Sequence, residues 1–176
     1  MKFIQRALGS KLDHILKRGK SVLLLGPRQT GKTTLIEQYE ADLEITLLIS
    51  KSRRQYESDP DLLIREVKAL QGKREEKIPL IIIDEVQKVP PLMDAVQYLI
   101  DKKLGQFILT GSSARKLIHS KNTNLLPGRV IQLHLDPLSL IELTDLSSTS
   151  IEDLLAYGTL PAIWLNKDPF IKEEEL

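Results

Sequence analysis

The sequence predicts an α/β fold in which a parallel sheet is covered by helices on both faces. Short apolar runs of β character recur along the chain, and stretches with helical spacing of apolar residues separate them. The first, third and fourth runs are almost continuously apolar, as strands must be when helices cover both of their faces. Strands alternating with helices imply βαβ units and a doubly wound sheet. At 176 residues the chain suits one domain, which buries roughly two-thirds of its unfolded surface.

Taken in order, Phe3, Ala7, Leu8, Leu12, Ile15 and Leu16 form the amphipathic stripe of a first helix. "SVLLLG" (Ser21 to Gly26) is the first strand and "ITLLIS" (Ile45 to Ser50) the second. Ser58 and Asp61 then stand at capping-box spacing with Pro60 between them; Leu62, Leu63, Val67 and Leu70 give the apolar face, and Gly72 closes that helix. "KREEK" reads as a solvated loop before the third strand, "LIIIDE" (Leu80 to Glu85). Pro91 opens a helix carrying Met93, Val96, Leu99 and Ile100 on one side, with Gly105 after its end. "FILTGS" (Phe107 to Ser112) and "VIQLHL" (Val130 to Leu135) complete the set of strands. Ser150 and Asp153 mark the start of a short last helix and Gly158 its end, before a solvated tail, "IKEEEL".

Composition excludes several classes of function. With 25 basic and 24 acidic side chains, no net charge draws the whole molecule to nucleic acid or membrane, so a charged partner must meet a local patch. The absence of cysteine rules out disulfides and thiolate metal sites, and His14, His119 and His134 lack ligand spacing, so no transition-metal site is expected. No apolar run approaches the ~20 residues of a membrane-spanning helix, and the N-terminus lacks a signal-peptide core, so a cytoplasmic protein is expected.

The first strand leads directly into Gly26, Pro27, Arg28, Gln29, Thr30, Gly31, Lys32, Thr33 and Thr34, where two glycines, a lysine and a hydroxyl fit the phosphate-binding loop. The glycines let the backbone wrap closely, so that N–H groups from about Gln29 to Thr33 can point at phosphate oxygens. Lys32 would reach the β and γ phosphates, Thr33 would ligate magnesium, and Thr34 is expected behind them. Asp84 ends the most apolar strand, where an unpartnered buried carboxylate is costly but a partner of the Thr33-bound magnesium is well placed. Glu85 follows immediately and can orient and activate a water for in-line attack. Thr110, Ser112 and Ser113 lie where the next strand emerges; any of these hydroxyls could position the water or sense the γ-phosphate, and Ser112 is preferred. Arg129 stands just ahead of the last strand, as a guanidinium for the transferring phosphoryl group of its own or a neighbouring chain.

Together "GPRQTGKTT", "DEVQKVP", "LTGSSARKL", "PGRV" and "DPLSLIEL" resemble the AAA+ superfamily ATPases, and within them a prokaryotic group with these motifs in this order. The resemblance runs from about Leu12 to Pro161 and takes in the later "AYGTLPAI". It implies a P-loop NTPase with a five-stranded sheet of order 5-1-4-3-2 and ATP as nucleotide. It also implies Asp84 as the magnesium-associated acid, Glu85 as catalytic base, a sensor between Thr110 and Ser112, and Arg129 as an arginine finger that would make a homo-oligomer the active unit. Members of the group are similar in continuing into a second domain. The expected division is therefore an ATP-binding domain over residues 1–145 and a short helical extension, the start of a second domain, over residues 146–176.

Two further features bear on partners. "NKDP" at Asn166 to Pro169 begins like a guanine-reading motif, but proline at the fourth position cannot accept the guanine N–H donors. Lys51, Arg53 and Arg54 form a basic cluster after the second strand, a solvated loop or else a contact for a nucleic-acid backbone. The sequence thus supports magnesium-dependent ATP hydrolysis coupled to a protein or other target. The alternative is a nucleotide-gated interaction protein with little hydrolysis.

Overall fold

The computed structural model describes residues 4–71, 77–112, 126–143 and 151–166. Five parallel strands form the sheet: β1 (Ser21–Leu25), β2 (Leu43–Thr46), β3 (Leu80–Asp84), β4 (Gln106–Gly111) and β5 (Val130–His134). Their spatial order is β2-β3-β4-β1-β5, which is the expected order 5-1-4-3-2 read from the other edge. Side chains alternate across a strand. Leu23, Leu25, Ile81, Ile83, Phe107 and Leu109 therefore enter one core, and Val22, Leu24, Ile82 and Ile108 enter the other.

Each core is closed by the helices whose apolar stripes match it. Leu63 and Val67 of α4 (Leu62–Gln71) and Met93, Val96 and Leu99 of α5 (Leu92–Asp101) cover the first core. Leu12 and Ile15 of α1 (Ala7–Lys17) and Leu35 and Ile36 of α2 (Lys32–Ile36) cover the second. Central strands β1, β3 and β4 are buried almost throughout, whereas the edge strands β2 and β5 are only partly covered. Beyond β5 come α6 (Leu140–Leu143), α7 (Ile151–Tyr157) and α8 (Pro161–Leu165). No helix among the described residues is long and apolar enough to cross a membrane.

Two local expectations change. The second strand ends at Thr46, whose register partner is Asp84, and the chain turns through Leu47 into a helix, α3 (Ser50–Ser58). Leu47 is buried while Leu48 and Ile49 are exposed, so the apolar run is divided between core and surface and does not extend the strand. The Ser58–Asp61 pair does not cap α4 either: the Ser58 hydroxyl donates to the Gln55 carbonyl at 3.0 Å and closes α3. Elsewhere Pro91 does open α5, and Gly158, at φ 68°, ends α7 with its N–H on Leu154 O at 3.0 Å. Phe3, Gly72, His119 and the Ser150 end of the last capping pair lie outside the described residues.

Candidate active site

The phosphate loop leaves β1 at a point where only glycine fits. Gly26 adopts φ 155°, and a Cβ there would lie 2.2 Å from the Leu135 carbonyl oxygen. Gln29 (φ 64°) and Gly31 (φ 87°) are left-handed, so the backbone curls before Gly31 delivers it into α2. Thr30 is fully buried and its hydroxyl donates to Pro27 O at 3.0 Å. Lys32 lies folded along the loop, its ammonium donating to Gly26 O (2.9 Å) and Pro27 O (2.6 Å). Burial lowers its pKa from the usual lysine value, Glu85 and Asp84 pull it back up, and Arg28 adds a further lowering. Thr33 is exposed toward the cleft and so is Thr34, which stands beside Thr33 and not behind it.

The end of β3 presents two carboxylates that the backbone sends in different directions. Asp84 stays in the strand, 6% exposed, with its carboxylate accepting a hydrogen bond from Thr110. The same Thr110 hydroxyl accepts the Glu85 N–H at 3.0 Å, so one buried oxygen fixes both acids. Glu85 itself takes φ 60°, unusual for a residue with a side chain, and lines the same cleft as Lys32 and Thr33. Its carboxylate accepts from the Gln87 amide, which donates a second hydrogen bond to Ser112 Oγ at 3.1 Å. The Gln87 side-chain oxygen, Oε1, is buried and has no hydrogen-bond donor among the described residues. Thr110 therefore serves Asp84, Ser112 is linked to Glu85 through Gln87, and Ser113 lies outside the described residues.

The cleft encloses about 520 Å³ and has two unlike walls. Arg28, Gln29, Gly31, Lys32, Thr33, Thr34 and Glu85 make the polar one; Ile4, Leu138, Pro161, Ala162 and Leu165 make the apolar one, and Leu35 lines the cleft from α2, the helix that carries Lys32 to Thr34. A second recess of about 350 Å³ brings Thr33 and Asp84 together with Thr46 and Glu44. No group of three metal-ligating side chains occurs among the described residues. The Thr33 hydroxyl and the Asp84 carboxylate are hard oxygen donors, a pair that fits magnesium, which takes one or two protein ligands and completes its shell with phosphate oxygens and water.

Arg6 also lines the cleft and is paired with Glu142, a pairing that motif reading does not find. Arg6 is 7% exposed, lines the cleft, and donates Nε to Glu142 Oε1 at 2.9 Å and Nη1 to Thr30 O at 2.5 Å. Burial alone would raise the Glu142 pKa, but Arg6, the Ser139 and Ala7 N–H groups and the Ser139 hydroxyl hold it at about 2. One signal was present in the sequence: Ser139 and Glu142 have capping-box spacing, and the Ser139 N–H does donate to Glu142 Oε2 at 2.8 Å.

Arg129 is not in this cleft. It sits on the turn Pro127–Gly128 at the opposite end of the sheet from the phosphate loop, since Val130 pairs with Ser21 at the start of β1. Its guanidinium grips Asp101 at the end of α5, with Nε–Oδ1 at 2.6 Å and Nη2–Oδ2 at 3.0 Å. The acids nearest it in sequence are otherwise engaged: Glu142 with Arg6, and the Asp136 carboxylate with His134 at 2.9 Å. Lys51, Arg53 and Arg54 occupy α3 and are not among the residues that line the cleft.

Comparison with known proteins bears on the family and the fold. Residues 18–144 match the model of a family described as an AAA domain. Two proteins described as uncharacterised, from Mycobacterium bovis and Mycobacterium tuberculosis, are each 31% identical over 165 residues, covering 89% of this chain and 33% of their own length. The chain thus spans about a third of the curated relatives it matches. Among solved structures, the Orc1 protein of Aeropyrum pernix in complex with DNA superposes with a TM-score of 0.53 at 14% identity, over 79% of this chain and 47% of that one. Cdc6p of Pyrobaculum aerophilum gives 0.53 at 15% identity, over 83% and 50%. At such identities these two structures are evidence of a common fold alone.

Proposed function

The chain belongs to the AAA domain family, and from that premise we propose that this nucleotide-binding ATPase module hydrolyses ATP with magnesium. The observation that carries the proposal is the left-handed turn at Glu85, which brings a carboxylate into the cleft that Lys32 and Thr33 also line. In this reading the adenosine lies against the apolar wall of Ile4, Leu138, Pro161, Ala162 and Leu165, and the phosphates lie along the loop from Gly26 to Thr34. Residues 1–145 then form the ATP-binding domain, and the extension over residues 146–176 supplies part of its apolar wall. Lys32 exchanges its bonds to Gly26 O and Pro27 O for β- and γ-phosphate oxygens. Thr33 and Asp84 hold magnesium, which when bound neutralises phosphate charge. Glu85 accepts the proton of the attacking water, and Ser112 acts on the γ-phosphate side through Gln87.

A second reading has its own support: Gln87 occupies the Glu85 carboxylate, as a nucleotide-gated switch with little hydrolysis would require. Titration calorimetry and steady-state turnover distinguish the two. Lys32→Ala should weaken ATP binding by about 2 to 4 kcal/mol, the range for truncating one partner of a buried charged contact. Glu85→Gln should keep ATP affinity and lose turnover by roughly 10²-fold or more. Equal turnover in wild type and Glu85→Gln would select the switch. Repeating the assay with DNA tests whether Lys51 and Arg54, exposed on α3, meet a nucleic-acid partner.

A further inference from the structure

We infer that Arg6 and Glu142 are a positioning pair for the phosphate loop, fixing the Thr30–Gly31 peptide through its carbonyl oxygen and bracing it against the apolar wall of the cleft. The inference rests on the reading of that cleft as a site for a nucleoside triphosphate. An arginine serving only to balance Glu142 would turn both prongs of its fork to the carboxylate. Here a single short bond does so: Nε meets Oε1 at 2.9 Å, while Nη2 is 3.5 Å from Oε2 and instead donates to Asp136 O at 2.7 Å. The remaining arm, Nη1, crosses to Thr30 O at 2.5 Å. Glu142 keeps the guanidinium from swivelling, because its oxygens also accept Ala7 N–H (2.8 Å), Ser139 N–H (2.8 Å) and Ser139 Oγ–H (2.9 Å).

The consequence for the loop follows from peptide geometry. In a planar trans peptide the carbonyl and the next N–H point in opposite directions, so anchoring Thr30 O also sets the direction of the Gly31 N–H. Gly31, at φ 87°, has no preference of its own that would hold that peptide, and the external anchor supplies it. The brace continues on the other side. Leu138 N–H donates to Thr159 O at 2.8 Å, two residues before Pro161, whose Cγ lies 4.0 Å from the place a Gly31 Cβ would take. Loop, N-terminal segment and cleft wall thus meet at one guanidinium.

The test compares two ligands, ATP and inorganic tripolyphosphate, each with magnesium, by calorimetry on wild type, Arg6→Ala, Arg6→Lys and Glu142→Gln. Unfolding midpoints are measured beside them, so that affinities are read where each variant is folded. Arg6→Ala should weaken both ligands by the same factor, about 10- to 100-fold, as when a supporting contact behind a binding group is removed. Arg6→Lys should not restore affinity, because one ammonium cannot span the three acceptors that the planar fork reaches. If Arg6→Ala does not fold, the near-isosteric Glu142→Gln carries the test, with a smaller loss shared equally by both ligands. Unchanged affinities beside a lowered midpoint would overturn the inference in favour of a purely structural pair. Loss of ATP affinity with tripolyphosphate untouched would overturn it by assigning the pair to the nucleoside wall. Failure of wild type to bind either ligand would remove the nucleotide reading itself, and the inference with it.

Discussion

Two arginine–carboxylate pairs, Arg6–Glu142 and Arg129–Asp101, stand at opposite ends of the sheet and differ in almost everything except chemistry. The contact at Arg129 is the shorter, 2.6 Å against 2.9 Å, yet its side chains are 33% and 43% exposed where those of Arg6 and Glu142 are 7% and 6%. Separation therefore says little about which pair the fold depends on. In water an ion pair gains little and exchanges readily, so Arg129 can leave Asp101 for another acceptor at small cost. A buried pair cannot be parted without leaving a charge in a poor dielectric, and Arg6 adds two backbone acceptors to its carboxylate. The first pair is architecture; the second is available to a neighbouring molecule.

The largest effect that would break this contrast concerns turnover. If Arg129 acts on a neighbour's nucleotide, Arg129→Ala should lower turnover by about 10³-fold or more while the unfolding midpoint stays in place. Mixing it with Lys32→Ala should then recover a fraction of activity, since some interfaces join an intact loop to an intact arginine. No recovery from mixtures known to co-assemble would return Arg129 to a local role.

Next in size is the stability of the buried pair. Arg6→Ala should cost about 3 to 5 kcal/mol in denaturant unfolding, the penalty for leaving Glu142 uncompensated. A loss below about 1 kcal/mol would place the pair in the same class as an exposed one.

The third prediction is a pH dependence. Glu142 titrates at about 2 in the folded chain against 4.5 ordinarily. Its pKa is depressed by folding, so its contribution is complete above the ordinary value and is lost as pH falls toward 2. Linkage puts the amount at roughly 3 kcal/mol. Glu142→Gln should flatten that part of the acid limb, and an unchanged slope would show that other carboxylates carry it. The smallest effect belongs to Asp101→Ala, for which no resolvable shift of the unfolding midpoint is expected; a clear loss would sharpen the comparison by giving the exposed pair a structural share.

The two pairs also mark where sequence reading succeeds and stops. The strand order follows from the family resemblance, whereas Lys32, Asp84 and Glu85 stand out because their pattern is local: a loop of fixed spacing after an apolar strand, and two acids at the end of another. Arg6 and Glu142 are separated by 136 positions, and no local pattern brings them together. Arg129, read from sequence as a guanidinium for a transferring phosphoryl group, instead meets Asp101, 28 residues earlier, because helix α5 ends beside the turn that starts β5. Helix α3 escapes pattern reading because Tyr56 is its only buried residue, which leaves no apolar stripe to detect. At the second strand, three apolar residues in a row concealed a turn, since Leu47 faces the core and its two successors face out.

Gly26 carries a practical warning for anyone planning a binding-dead variant. Its missing side chain makes room for the Leu135 carbonyl at the exit of the edge strand, 2.2 Å from where a Cβ would stand. Any substitution there wedges β5 away from β1 before a ligand is ever offered, so a screen that scores nucleotide retention would count a misfolded protein as a non-binder. Lys32, whose ammonium donates to two of the loop's own carbonyls, separates the two phenotypes.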